Sequence, residues 1–324
     1  MQHFVFRSAS SLVQPNNSRL LLKAAVIITA LACSLVPVLA QQAVPPIGVK
    51  KPSAAPGTLV IPPSSQINVE DRGKRAHTNV RFIVPATSGP LEEPPYAGFG
   101  YETPASLACI YRQVAPIRGC NPNSTVNTPM GGSETIAIVD AFDDPSAAAD
   151  LAYFSAQFGI PFSPSKFKVV YAGGSAPPVD TTGGWELEEA LDVEYSHAMA
   201  PKAMLYLVEA DSNSFTDLFA AVDVATNLVR CGHASACSSK AQGKGEVSMS
   251  WGGSEFDSEG LSDALFTGTN VVYLASSGDS AGVIYPSASP NVISVGGTST
   301  ARNLDSGNLM QEIAWSDAGG GLSL

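Results

Sequence analysis

From Thr135 onward, short apolar runs alternate with stretches of helical period. Thr135 to Val139, Phe167 to Tyr171, Ala203 to Val208, Val247 to Ser250, Val271 to Ala275 and Val292 to Val295 are dense in Val, Ile, Leu and Ala. They are too short for helices and predict buried strands. Between them, Pro145 to Phe158 (with Asp144 as a possible cap), Gly183 to Pro201, Phe215 to Val229 and Glu259 to Phe266 predict helices. Strands that are apolar throughout and alternate with helices predict an α/β fold, a mostly parallel, doubly wound sheet with helices on both faces. In such a sheet the ligand crevice lies beyond the carboxyl ends of the strands.

The pattern upstream is different. Residues 41–100 are punctuated by Val44-Pro45-Pro46, Ile61-Pro62-Pro63 and Glu93-Pro94-Pro95, which predicts an extended leader without a core of its own. Val80 to Val84 reads as one strand within it. Thr103-Pro104 opens a short helix at Ala105, so the folded domain is expected over residues 101–324. Residues 1–40 read as a signal peptide, with Arg19 and Lys23 before the apolar run Ala24 to Leu35 and small residues for cleavage at Val38-Leu39-Ala40. A lipoprotein signal ending at Cys33 fits less well, because residue 30 is Ala rather than Leu. The expected location is therefore secreted or periplasmic, and the apolar run is too short to serve as a stable membrane anchor.

The helix from Gly183 to Pro201 carries the first candidate chemistry. Trp185, Leu187, Leu191, Tyr195 and Met199 recur at helical spacing and are expected to face the core, with Pro201 as the stop. Glu188 and Asp192 are one turn apart, so their carboxylates stack on a single face. If they are exposed, they belong to a solvated acidic face with Glu186, Glu189 and Glu194. If they are buried together, one is pushed to a raised pKa and carries a proton near the working pH. The loop Ala275 to Gly282 sits where the crevice is expected. Its Asp279 is either an ordinary turn residue or a carboxyl able to donate a hydrogen bond to a developing oxyanion.

Composition narrows the classes. A net charge of −11 argues against a nucleic-acid partner, and 44% hydrophobic residues over 324 positions are ample for a large core. Of five Cys, Cys33 would leave with the signal. The remaining Cys109, Cys120, Cys231 and Cys237 suggest two disulfides, and proximity favours Cys109–Cys120 and Cys231–Cys237 among three possible pairings. No Cys-x-x-Cys spacing supports zinc.

Taken in order, Thr135 to Pro145, Trp185 to Asp192, Val247 to Gly252, Ala275 to Ser280, Tyr285 to Val292, Val295 to Thr298 and Trp315 to Ser323 resemble the sedolisins, the serine-carboxyl peptidases of subtilisin-like fold. The resemblance covers residues 101–324. It implies a serine-type endopeptidase acting on protein or peptide substrates, with Glu188 as general base, Asp192 as its orienting partner and Asp279 as the oxyanion-hole carboxyl. It also implies that the nucleophilic serine and the family's calcium site belong to a C-terminal part beyond Leu324. The domain is accordingly expected to be incomplete, with no cofactor in this chain. The sedolisin propeptide is long and folded, unlike residues 41–100.

A carboxylate base needs a second acid sharing its proton, so such an enzyme should work in acid. A Ser-His-Asp triad needs a suitably placed His, and the four are His3, His77, His197 and His233. His197 lies five residues past Asp192 and is expected to be a packed or surface residue. Asp140, at the end of the first domain strand, reads as a structural or site-lining carboxylate. Ser299, in Gly297-Thr298-Ser299, follows a strand rather than opening a helix, so it is a poor candidate nucleophile. The expectation is a monomeric secreted endopeptidase. The rivals are a catalytically inactive peptide-binding or scaffold relative and an orthodox subtilisin built on Asp140.

Overall fold

In the computed structural model the runs from Thr135 onward assemble into one parallel sheet. The structure describes residues 58–83, 102–114, 121, 125–238, 240–302 and 309–324. The signal expected over residues 1–40 and Cys120 lie outside them. Three short strands come first, β1 (Leu59–Val60), β2 (His77–Thr78) and β3 (Phe82–Ile83), followed by helix α1 (Pro104–Ile110). The α/β portion then runs β4 (Thr135–Ala141), α2 (Ala147–Phe158), β5 (Phe167–Tyr171), α3 (Trp185–Met199), β6 (Met204–Ala210), α4 (Phe215–Cys231), β7 (Gly245–Met249) and β8 (Trp251–Ser254). It continues with β9 (Val271–Ser276), β10 (Ile284–Tyr285), β11 (Ile293–Val295), β12 (Thr298–Arg302) and β13 (Leu309–Ala314).

The main sheet has the order β11-β9-β7-β4-β6-β5, and all its pairings are parallel. Both faces are covered, as strands without polar alternation require. Ala137, Val139 and Ala141 of β4 pack with Leu218, Ala221, Val222 and Ala225 of α4. On the opposite face, Ile138 of β4 and Leu205 and Leu207 of β6 pack with Ala147 and Leu151 of α2 and Val193 of α3. This is the expected doubly wound α/β class. Strand order reverses at β4: the chain proceeds to β5 and β6 on one side, then returns to β7 on the other. A crevice at the carboxyl ends of β4 and β7 is the geometric consequence.

Helix ends follow local chemistry. Thr103 and Ser106 form a capping box on α1. The Oδ2 of Asp180 accepts from the amides of Gly184 (3.1 Å) and Trp185 (3.2 Å) at the start of α3. Ser214 caps α4 and left-handed Gly232 ends it. Asp144 turns the chain by accepting from the Ser146 amide, and α2 begins at Ala147, two residues later than the pattern predicts.

One strand is not foreseen by the pattern, and one expectation needs correction. Ser250 breaks the run, and β8 leaves to form a separate antiparallel sheet between β10 and β2. The buried side of α3 is also not the predicted apolar stripe. It holds Trp185, Glu188, Glu189, Val193, His197 and Ala198, while Leu187, Leu191, Tyr195 and Met199 are only half-buried. The helix packs against both the sheet and α2, and the acids fall on the side facing the strand ends. His197 is packed, edge-on to Phe162.

The Cys231–Cys237 disulfide is present, closing a loop across a separation of 6 residues after α4. Replacing both by Ser should cost about 2 kcal/mol, by the loop-entropy rule for so short a ring. The check is a lower urea midpoint at unchanged slope.

Candidate active site

The three predicted acids come from two elements that meet at the carboxyl ends of the strands. Glu188 and Asp192 lie on the first half of α3, and Asp279 lies in the loop that follows β9. Glu188 is 4% exposed. Its pKa is pushed well up, first by burial and then by the neighbouring Asp192, with a smaller contribution from Asp279. The amide of Asn79, which donates to its Oε2 at 3.3 Å, holds it down in part. Asp192 is pushed up to about 7 by burial, opposed by the Ser250 hydroxyl. Its Oδ2 is buried without a hydrogen-bond partner among the described residues. Two acids one turn apart and shielded from water share a proton more readily than either gives up both.

Ser250 therefore has a measurable role. Removing its hydroxyl in Ser250→Ala should move the Asp192 titration further upward, because a hydrogen bond to the ionised form is lost. Carboxyl-carbon NMR across the titration reads that shift.

Asp279 is pushed up to about 6 by burial, restrained by Arg81 and raised again by Asp317. Arg81 Nε stands 3.5 Å from Asp279 Oδ2, and Arg81 Nη1 is 3.0 Å from Asp317 Oδ2. The Asp279 loop is clamped from the far end of the chain. Gly319 donates to the Gly278 carbonyl at 2.8 Å and Gly320 to that of Gly282 at 2.7 Å. A Cβ on Gly319 would sit 1.8 Å from the Ser277 oxygen, which explains a glycine there.

Asp140 is at the end of β4 and fully buried, with neither carboxyl oxygen hydrogen-bonded among the described residues. Burial raises its pKa, followed by the charges of Asp192, Glu188 and Glu209. It thus backs the pair on α3. Glu189 (0% exposed) and Glu209 (0% exposed) extend the acidic group behind it, both also pushed upward by burial first. Ser299 sits within β12, opposite Ile313 of β13 in a separate two-stranded ribbon. His77 Nδ1 meets the Thr78 carbonyl and His197 packs on Phe162, and neither histidine hydrogen-bonds Asp140, whose carboxyl oxygens have no such partner among the described residues.

Sequence reasoning missed Asn79 and Arg81. Both belong to the Pro-rich segment read as a leader, and their contacts span 109 and 198 residues of chain. The available signal was the alternation of small or apolar Ala76, Thr78 and Val80, all buried, with polar His77, Asn79 and Arg81. Period two over such a stretch marks a half-buried strand.

Among the described residues no group of three or more His, Cys, Asp and Glu is arranged to hold a metal ion. No described helix is long and apolar enough to cross a membrane.

No family model and no curated protein matches the chain. Among solved structures, it is similar to a Pseudomonas sedolisin, a serine-carboxyl proteinase complexed with two molecules of pseudo-iodotyrostatin. The identity is 20% and the TM-score 0.49, over 66% of this chain. The chain spans 58% of the length of that protein, a distant structural likeness to a sedolisin.

Proposed function

We propose that residues 101–324 belong to a secreted serine-carboxyl endopeptidase that hydrolyses peptide bonds in acid by acyl transfer. A serine Oγ attacks the scissile carbonyl carbon while Glu188 takes the hydroxyl proton. Asp192 holds Glu188 in place and shares its proton. The protonated carboxyl of Asp279 donates to the oxyanion, a contact of the kind worth roughly 3 kcal/mol. Collapse of the tetrahedral intermediate breaks the C–N bond, and the leaving amine takes the proton from Glu188. Water then repeats the sequence on the acyl-enzyme and releases the acid. The reading assigns no attacking serine among the described residues.

The observation that carries the reading is the pairing, one turn apart on α3, of buried Glu188 with half-buried Asp192, whose Oδ2 is shut off from solvent, with Asp279 close enough to raise the pKa of Glu188. The test uses the product of the whole reading frame and an acid-denatured protein substrate at about pH 4, near ordinary carboxyl values. Hydrolysis should be lost in Glu188→Gln and kept in Ser299→Ala. Undiminished hydrolysis in Glu188→Gln would instead favour an Asp140-based subtilisin mechanism.

A second reading is a peptide-binding relative without hydrolysis. It is favoured by the extended strand β2 already paired along β8. Tight peptide binding with no cleavage by the whole product would select it.

A further inference from the structure

The space between the main sheet and α3 changes character along the strands. In its lower layers Ile138 of β4 and Leu205 and Leu207 of β6 pack with Leu151 of α2 and Val193 of α3. Side chains two apart on a strand share a face, so Asp140 and Glu209 continue that same face to the carboxyl ends. The two stand directly opposite each other in the β4–β6 register. Glu189, one turn before Val193 on α3, meets them from the helix side, and its charge bears on both. All three are 0% exposed. An apolar interface thus ends in a layer of acids.

Among the described residues no base balances that layer. The charges that bear most on Asp140, Glu189 and Glu209 are those of other carboxyls, and no ion pair reaches them. Both oxygens of Asp140, both of Glu189 and Oε2 of Glu209 are buried without a hydrogen-bond partner among the described residues. Ionised, these groups would be unpaired charges shut away from water, a state that buried acids escape by taking up a proton. No metal donor set is arranged among the described residues, and full burial closes the layer to larger cations. The counter-ion that fits is the proton. The layer also has an outlet. Glu209 Oε1 accepts from the Asp144 amide at 3.4 Å, and its carboxyl lies within hydrogen-bonding reach of half-buried Asp143. Half-buried Glu186, three residues before Glu189, bears on it from the start of α3. Inward, Asp140 is coupled to Asp192 and Glu188.

We propose that Glu189 and Glu209 form a buried proton store that exchanges protons with the Glu188–Asp192 pair through Asp140. The store stands without the peptidase reading, and its service to Glu188 rests on that reading. A proton leaves the carboxyl of Glu189 or Glu209 and one reaches the Asp140 carboxylate. Asp140 gives its own to Asp192, and one negative charge moves the other way. These oxygens are not hydrogen-bonded to one another, so each transfer runs over a bridging water, the ligand that buried polar groups with free oxygens take. The store refills from solvent by way of Asp143 and Glu186. A substrate lying over the crevice then does not cut the pair off from protons, because the inner route keeps it supplied. Glu189 and Glu209 touch no substrate in this scheme and are positioning residues acting through Asp192. The titratable groups facing the layer are Glu186 and Glu188 of α3, Asp143 and Asp144 after β4, and Asp192, which the Ser250 hydroxyl meets.

Unfolding the full chain in concentrated urea at about pH 7, in weak buffer with a pH indicator, counts the protons that the fold retains. An unfolded Glu is ionised at that pH, whereas burial holds Glu189 well above its ordinary value and Glu209 at about 8. Glu189→Gln and Glu209→Gln copy the protonated shape, and each should release about one proton fewer per chain. An unchanged count in either folded variant overturns the store. The unaltered chain supplies a check that needs no variant. Its infrared spectrum at about pH 7 should carry a protonated-carboxyl band of at least about three groups, which unfolding abolishes. A band too weak for more than the Glu188–Asp192 pair overturns the store as well. The exchange is read by carboxyl-carbon NMR of Asp192. Its titration should contain a step that vanishes in Asp140→Asn while the step shared with Glu188 remains. A curve unchanged by Asp140→Asn overturns the exchange. None of these readouts uses hydrolysis, so an inactive whole reading-frame product would sink the peptidase reading and leave the store standing.

Discussion

Glu188→Gln should lower kcat/KM for peptide hydrolysis by about a thousandfold, within the range of general-base contributions. Glutamine keeps the shape of the side chain and can still accept from the Asn79 amide, which now donates to Glu188 Oε2. It cannot take a proton. The loss should therefore fall on kcat with little change in KM, as expected for an interaction made only in the transition state. Its companion, Asp279→Asn, behaves differently on physical grounds. An amide donates a hydrogen bond at every pH, whereas Asp279 donates only when protonated, below its pKa of about 6. That variant should lose less in acid and show a flatter alkaline limb. Equal, pH-independent losses in both would contradict the separate roles. The measurement is a pH–rate profile for each protein on one unstructured peptide.

The second large effect is on stability. The folded chain should be most stable in acid and should weaken steadily between about pH 4 and pH 8. Asp140, Glu188, Glu189, Asp192 and Glu209 all have their pKa values raised in the fold, with burial as the first cause of each. Below the ordinary carboxyl range both folded and unfolded states are protonated, and these groups cost nothing extra. As pH rises past it, the unfolded chain releases protons that the fold retains, so stability falls until the folded values are passed. Glu209, fully buried and moved from 4.5 to about 8, corresponds by itself to roughly 5 kcal/mol at 1.36 kcal/mol per pKa unit, an upper bound. His77 and His197 act the other way. Burial lowers both, so their contribution is complete above the unfolded value of 6.5 and is lost as pH falls below it. Two histidines oppose these carboxyls, which Glu186, Glu194 and Asp279 join with raised values of their own, and the acids dominate. A melting temperature lower by on the order of 10 °C or more at pH 8 than at pH 4 is the expected outcome. A flat or rising profile over that interval would show that the acids are solvated, and would remove the physical basis for proton sharing between Glu188 and Asp192.

Burial of this acidic group also explains the error over α3. Apolar periodicity assigns the core side of a helix by assuming that charged residues face water. Here Glu188 and Glu189 are buried while Leu187 and Leu191 are half-exposed. The rule fails at a site where charge has been brought inside, which is where such failures are expected. The same cause lies behind Asp140, whose position at a strand end was readable but whose contact with Asp192 was not.

Local pattern alone determined the elements of the α/β portion, the class of sheet they build, the one-turn spacing of Glu188 and Asp192, and the short disulfide ring. Each depends on residues near one another along the chain, where helical period, strand period and loop length act directly. The tertiary structure alone decided that those carboxylates face inward, that Asp279 stands near them, and that β8 leaves the main sheet. It also decided that Asn79 and Arg81 lie across the acids. Those outcomes are set by packing between segments 100 to 200 residues apart. Two strands and a helix can pair only when the whole sheet has fixed their distance, and burial, which sets every raised pKa in this protein, exists only after that packing is complete.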